Sequence, residues 1–162
     1  MNDSSNIESL KRSDIASGLS DEEIRVLASK IEVLTLADKD VMISEGHIDN
    51  RLFLIDHGRI EVTRNSQGGG DGITLAVLKD GDFAGEMGFI DGSIHSATLR
   101  AMGEARVLSL SRDALESLID THPHLVYKLM QTIIRVVHKL MTKMNQQYVE
   151  MNNYITKQHG RY

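Results

Sequence analysis

No cysteine occurs among the 162 residues, so the chain can form no disulfide framework, no thiolate metal site and no cysteine nucleophile. No apolar run approaches the length needed to cross a bilayer, and the polar start Met1-Asn2-Asp3-Ser4-Ser5-Asn6 lacks the apolar core of a secretory signal. A cytoplasmic protein without a membrane anchor is expected. A net charge of -5 argues against a general binder of nucleic-acid backbones, which needs clustered Lys and Arg. Proline occurs once, at Pro123, where its missing N–H can open a helix without loss. With 41% hydrophobic residues, 1–162 is enough chain for one domain with its own core.

Ser20 and Glu23 have the spacing of a capping box, and Ile24, Leu27 and Ile31 follow at helical intervals, which predicts a helix of about ten residues. Before it, Ile7, Leu10 and Ile15 make only a weak apolar face, so residues 1–18 are expected to be a marginal helix or tail. From Glu32 the pattern turns to short apolar runs broken by turn residues: Val33–Leu36, Val41–Ile43, Leu52–Ile55, Ile60–Val62, Ile73–Leu78 and Ala105–Leu110. Short strands at this spacing predict a sandwich or barrel. Between two of them, Asn65–Gly72 is rich in glycine but is followed by neither a P-loop Lys nor a helix, so it is expected to be a hairpin tip. Ser111–Thr121 is expected to be a helix with Leu115, Leu118 and Ile119 inward, and a last helix is expected from about His124 to Lys157.

In that last helix Ile133, Val137, Leu140, Met144, Gln147, Met151 and Tyr154 alternate spacings of four and three, the seam of a coiled coil. A symmetric homodimer through this helix is expected, with Ile133, Val137, Leu140, Met144 and Met151 at the interface. From Leu125 onward six basic residues stand against Glu150, a balance of +5 on a body of −10. Such charges are the solvated face of a coiled coil or a dock for an acidic partner.

The stretch Phe83–Ala101 carries the chemistry. Gly85 lets the backbone come close to a ligand, Glu86 can accept a sugar hydroxyl, and a helical turn from Glu86 to Ile90 would aim free N–H groups at an anion. Gly85, Glu86, Met87, Ser96 and Ala97 resemble the phosphate-binding cassette of the cyclic nucleotide-binding domain, found in catabolite activator regulators and in kinase regulatory subunits. The likeness runs from about Leu19 to the C-terminal helix and includes Gly46 and Gly58 at turns. It implies a mainly β fold with flanking helices: a double-stranded β-helix (jelly-roll) sandwich over 19–110, N-terminal helices, and C-terminal helices over 111–162, the last one long and dimerising. It also implies a ligand site of Gly85, Glu86, Met87, His95, Ser96 and Ala97, with cyclic AMP or cyclic GMP as the ligand. Glu86 would take the ribose hydroxyl, and Ser96 a phosphate oxygen or base edge.

His95 departs from the family pattern, standing where an Arg grips the cyclic phosphate. Arg is a permanent planar fork, whereas an imidazole is charged only near or below a pKa of about 6.5. Losing a charge-assisted hydrogen bond removes about 1.5–3 kcal/mol, so weak, absent or pH-dependent binding is expected. The positions at which activator-type relatives read adenine with hydroxyls fall on Leu140 and Met141, while kinase-type relatives cap the base with apolar groups. The family's activators carry a winged helix-turn-helix beyond the last helix, for which a chain ending at Tyr162 has no length, so direct DNA binding is not expected and a separate protein effector is.

Three alternatives come from other classes. A cupin-type enzyme needs two or three His with a carboxylate, but His47, His57, His95, His122, His124, His138 and His159 form no His-x-His pair on a strand, and no nucleophile–base–orienter set is present. No enzyme, no cofactor and no resident metal are expected. Haem on His95, as in some sensors with this domain, is a narrower alternative. A dimeric interaction module with a vestigial pocket is the remaining one.

Overall fold

Apolar side chains at consecutive rather than alternate positions mark strands that are covered on both faces, and two runs have this character: Leu52–Ile55, and Val107, Leu108 and Leu110, interrupted only by a buried Ser109. In the computed structural model, which describes residues 2–65 and 72–159, they are the two central strands. Among the described residues, eight strands form two four-stranded antiparallel sheets. One has the order β1 (Glu32–Leu36), β8 (Ala105–Ser111), β3 (Arg51–His57), β6 (Phe83–Ala84); the other has β2 (Val41–Ile43), β7 (Thr98–Ala101), β4 (Ile60–Arg64), β5 (Ile73–Leu78). The architecture is the expected jelly-roll sandwich with flanking helices.

Strand periodicity divides the core in two. On β3, Phe53 and Ile55 face the second sheet and pack with Ile43, Ile60, Leu99 and Val107. Leu52 and Leu54 face the other way and meet the helices, together with Leu108 and Leu110 of β8. The helical side is closed by α1 (Asn2–Lys11), a 3₁₀ turn (Asp14–Ala16), α2 (Asp21–Ala28), α4 (Arg112–Glu116) and the first half of α5 (Pro123–His159). Leu125, Leu129 and Ile133, four residues apart on α5, are fully buried against Leu10, Ile24 and Leu27. Each such burial contributes about 1.5–3 kcal/mol.

Ser20 caps α2 reciprocally with Glu23, as its spacing predicted. Glu23 also receives Lys128 Nζ at 2.8 Å, which ties α5 to α2. That ammonium, and then the Ser20 N–H, hold the Glu23 carboxyl below its ordinary value.

Four expectations need correction. Residues 2–11, expected as a marginal helix or tail, form the helix, and it is docked rather than marginal, with Asn6, Ser9 and Leu10 buried. Ile119 is exposed, because α4 ends at Glu116 and the chain turns before the apolar face reaches it. Ile133 belongs to the chain's own core and is closed to a second copy, and Val137 is half-buried against the same core. Within the cassette, β6 and β7 are strands that apolar periodicity had not marked. The expected glycine-rich tip, 66–71, lies outside the described residues.

Candidate functional site

β6 pairs with β3, placing Ala84 opposite Phe53, and the chain must then turn within one residue into α3 (Glu86–Asp91). Gly85 makes that turn in the left-handed region, at φ 83°. Gly92, at φ 75°, ends the helix, and the chain continues through His95, Ser96 and Ala97 into β7.

This path brings the six residues named from the sequence to one concavity of about 300 Å³. Gly85, Glu86 and Met87 line it from α3 and its entry, and His95, Ser96 and Ala97 from the return. Ile43, Val62, Ala76, Leu78 and Leu99 of the second sheet form an apolar wall, and Leu140 of α5 reaches the same space. Met141 does not line it and is exposed. Met87 and Ser96 are exposed on the rim. Among the described residues, Glu86 and His95 are the only titratable groups in the lining.

Burial pushes the Glu86 carboxyl above its ordinary value of 4.5, against its own backbone N–H and the nearby His95, both of which favour the charged form. The folded state therefore holds this proton more firmly than the unfolded chain does. The stability Glu86 contributes is complete below the unfolded value and declines as pH rises through the folded one. Glu86→Gln is accordingly expected to raise stability at pH 7 by on the order of 1 kcal/mol and to change little at pH 4. Urea melts at the two pH values check this, and an equal effect at both would contradict it.

Arg112, which the sequence did not mark, holds the cassette in place. Its Nε donates to the Phe89 carbonyl at 2.7 Å, and its terminal nitrogen to the Gly88 carbonyl at 2.6 Å and Asn50 Oδ1 at 3.2 Å. The Phe89 carbonyl lies near the helix C-terminus, where partners within the helix run out, and accepts from this guanidinium at the start of α4, while the Gly88 carbonyl takes it as a second donor beside the Gly92 N–H at 3.0 Å. The link spans 23 and 24 residues of sequence, so no local motif announces it.

A larger concavity, about 490 Å³, lies between α1 and β3, lined in part by Ser9, Arg12, Asp56, His57 and Asp80. None of the sequence-marked residues reaches it, and its carboxylates already pair with Arg12 and His57. Among the described residues no cluster of three or more His, Asp or Glu could hold a metal ion. No helix among them is long and apolar enough to cross a membrane.

The sequence pattern of the cyclic nucleotide-binding domain matches residues 33–122, more than half of the chain and all of the site except Leu140. The chain belongs to the cyclic nucleotide-binding domain family. It is 25% identical over 128 residues to a CRP-like cAMP-activated global transcriptional regulator of Mycobacterium tuberculosis, covering 79% of this chain and 57% of that protein. It is 28% identical over 110 residues to a cAMP-dependent protein kinase regulatory subunit of Yarrowia lipolytica, covering 68% of this chain and 28% of the other. The chain thus spans less than two thirds of either relative. A cyclic nucleotide-binding domain from Methylobacillus flagellatus superposes with a TM-score of 0.82 at 25% identity, over 90% of this chain and 83% of that one. In this cyclic nucleotide-binding domain, then, the cassette lies beside an apolar wall and a residue of the C-terminal helix, with an imidazole among its polar groups.

Proposed function

We propose that this protein is a small-molecule-sensing regulatory domain, not an enzyme, whose cyclic nucleotide binding is weakened or altered by His95 and which signals through α5 to a separate protein. The observation that carries the reading is Leu140. It belongs to α5 yet lines the same space as Glu86 and His95, so a ligand there touches the helix directly. A ligand that favours one α5 position over another shifts its population by that difference in affinity.

The test is a thermal-shift comparison of cyclic AMP and cyclic GMP, since selective binding to the folded state raises the melting temperature. His95→Arg is expected to strengthen cyclic AMP binding at pH 7.5 by about ten- to a hundredfold. If neither the native chain nor the variant responds to either nucleotide, the protein is instead an interaction module with a vestigial pocket. When binding is confirmed, hydrogen exchange between Leu125 and Met144 should slow or quicken, and unchanged exchange would count against signalling through α5.

The outer half of α5 supports a homodimer. Met144, Tyr148 and Met151 are exposed on a helix that runs on beyond its packed first half, and an apolar stripe of this kind is covered best by its own copy. Light scattering is expected to give twice the chain mass at micromolar concentration, and Met144→Asp with Met151→Asp to give one chain. A native mass of one chain would remove the dimer.

A further inference from the structure

The bonding around His95 says which kind of ligand the cavity accepts. The His95 backbone N–H donates to the His47 carbonyl at 2.9 Å, and its own carbonyl accepts from the Gly46 N–H at 2.8 Å. Its ring packs against Gly88, where even a Cβ would come within 2.8 Å of Cε1. Ring Nε2 lies 3.2 Å from the backbone carbonyl of Asp49. A carbonyl oxygen only accepts, so Nε2 carries the hydrogen. In the neutral ring Nδ1 is then a lone pair, and it has no hydrogen-bond partner among the described residues.

The charged surroundings leave this unchanged. Glu86 of α3 is the titratable neighbour in the lining, and Asp49 and His47 of the β2–β3 connection meet His95 through backbone carbonyls. Arg112 lies behind α3, bonded to the carbonyls of Gly88 and Phe89. No Lys or Arg among the described residues lines the cavity. Its directional side-chain groups are thus two acceptors, the Glu86 carboxyl and, in the neutral ring, His95 Nδ1, set against an apolar wall. The Ser96 hydroxyl can donate or accept and does not decide between ligands.

Resting on the reading that this cavity is the ligand site, we infer that at neutral pH it selects an uncharged or cationic molecule of nucleoside size bearing hydroxyl or amine donors, and admits a phosphate only together with a proton on His95. A phosphate oxygen facing Nδ1 would set lone pair against lone pair. With the ring protonated, the same nitrogen becomes a charged donor.

The test is isothermal titration calorimetry of the full chain with adenosine and with cyclic AMP, at pH 7.5 and 5.5, in two buffers of different ionisation enthalpy. Adenosine is expected to bind at least as tightly as cyclic AMP at pH 7.5. Cyclic AMP should bind more tightly at pH 5.5 than at pH 7.5, because the proton that its phosphate requires on His95 is more available there. At pH 7.5 it should take up about one proton per ligand, and His95→Arg should abolish both the gain and the uptake. Tighter cyclic AMP binding at pH 7.5 without proton uptake would overturn the inference and leave the ligand site standing. Binding of neither probe at either pH would overturn the ligand site and the inference together. Nitrogen-15 NMR of the unliganded protein adds a ligand-free check: a neutral His95 ring protonated at Nδ1 would also overturn the inference.

Discussion

Gly85→Ala is expected to destabilise the protein by about 2–5 kcal/mol, combining left-handed backbone strain with overpacking, and to abolish ligand binding. Two separate effects meet at this residue. Its φ of 83° lies in the left-handed region that side-chain-bearing residues seldom enter. An added Cβ would also stand 2.6 Å from the Arg51 carbonyl oxygen and 3.2 Å from the Phe53 ring. The oxygen belongs to a central strand and cannot yield without disturbing the pairing of β3 with β8. Gly81 separates the two effects. It has a similar φ of 91° but no atom within 4 Å of an added Cβ, so Gly81→Ala should show only the strain, about 1–2 kcal/mol. Urea denaturation of both variants gives the comparison. Equal losses would mean that β3 tolerates the methyl group and that the tight passage of the cassette over β3 does not hold it in place.

The same passage shows what could be read from the chain. That Gly85, Glu86 and Ser96 share one concavity was legible because it follows from local conformation at fixed spacing. Arg112 was not, since its partners are carbonyls that exist only once α3 has formed. β6 is two residues long, too short for an alternation to register. Ile133 was read onto the wrong surface because a core stripe and a dimer seam share one periodicity, and sequence does not say which body faces a helix. The strands Val41–Ile43 and Ile73–Leu78 matched to the residue, because turn residues bound them sharply. That Ala76 and Leu78 would face the cassette rather than solvent depended on the path of another segment.

Helix α1 was underestimated for a different reason: it docks through polar groups, which a search for apolar periodicity does not weigh. Asp56 of β3 is the centre. Its carboxylate is 9% exposed and pairs with Arg106, and with Arg12 at 3.3 Å. Arg106 in turn donates to Asn6 Oδ1 at 2.9 Å, carrying the network into the buried face of α1. Burial, the largest single influence, pushes the Asp56 carboxyl up. The Ser9 hydroxyl, Arg106 and Arg12 together outweigh it and leave the carboxyl below its ordinary value.

Asp56→Ala would strand a guanidinium that is 28% exposed, and breaking a buried pair from one side costs about 3–5 kcal/mol; partial exposure places this one toward the lower figure. Because the folded pKa is depressed, the stability is present above the unfolded value of about 3.9 and is lost as pH falls through the folded value. Hydrogen exchange on Asn6–Lys11 is the measurement that separates local from global loss. In the variant at pH 7, and in the native chain below about pH 4, this segment should exchange well before the β3–β8 core does. If α1 stays protected in the variant while global stability drops, its attachment rests on the apolar contacts of Ile7 and Leu10 and the polar network is incidental. If α1 releases first, the network holds this helix, and the buried Leu10 face is secondary to the charge pair beneath it.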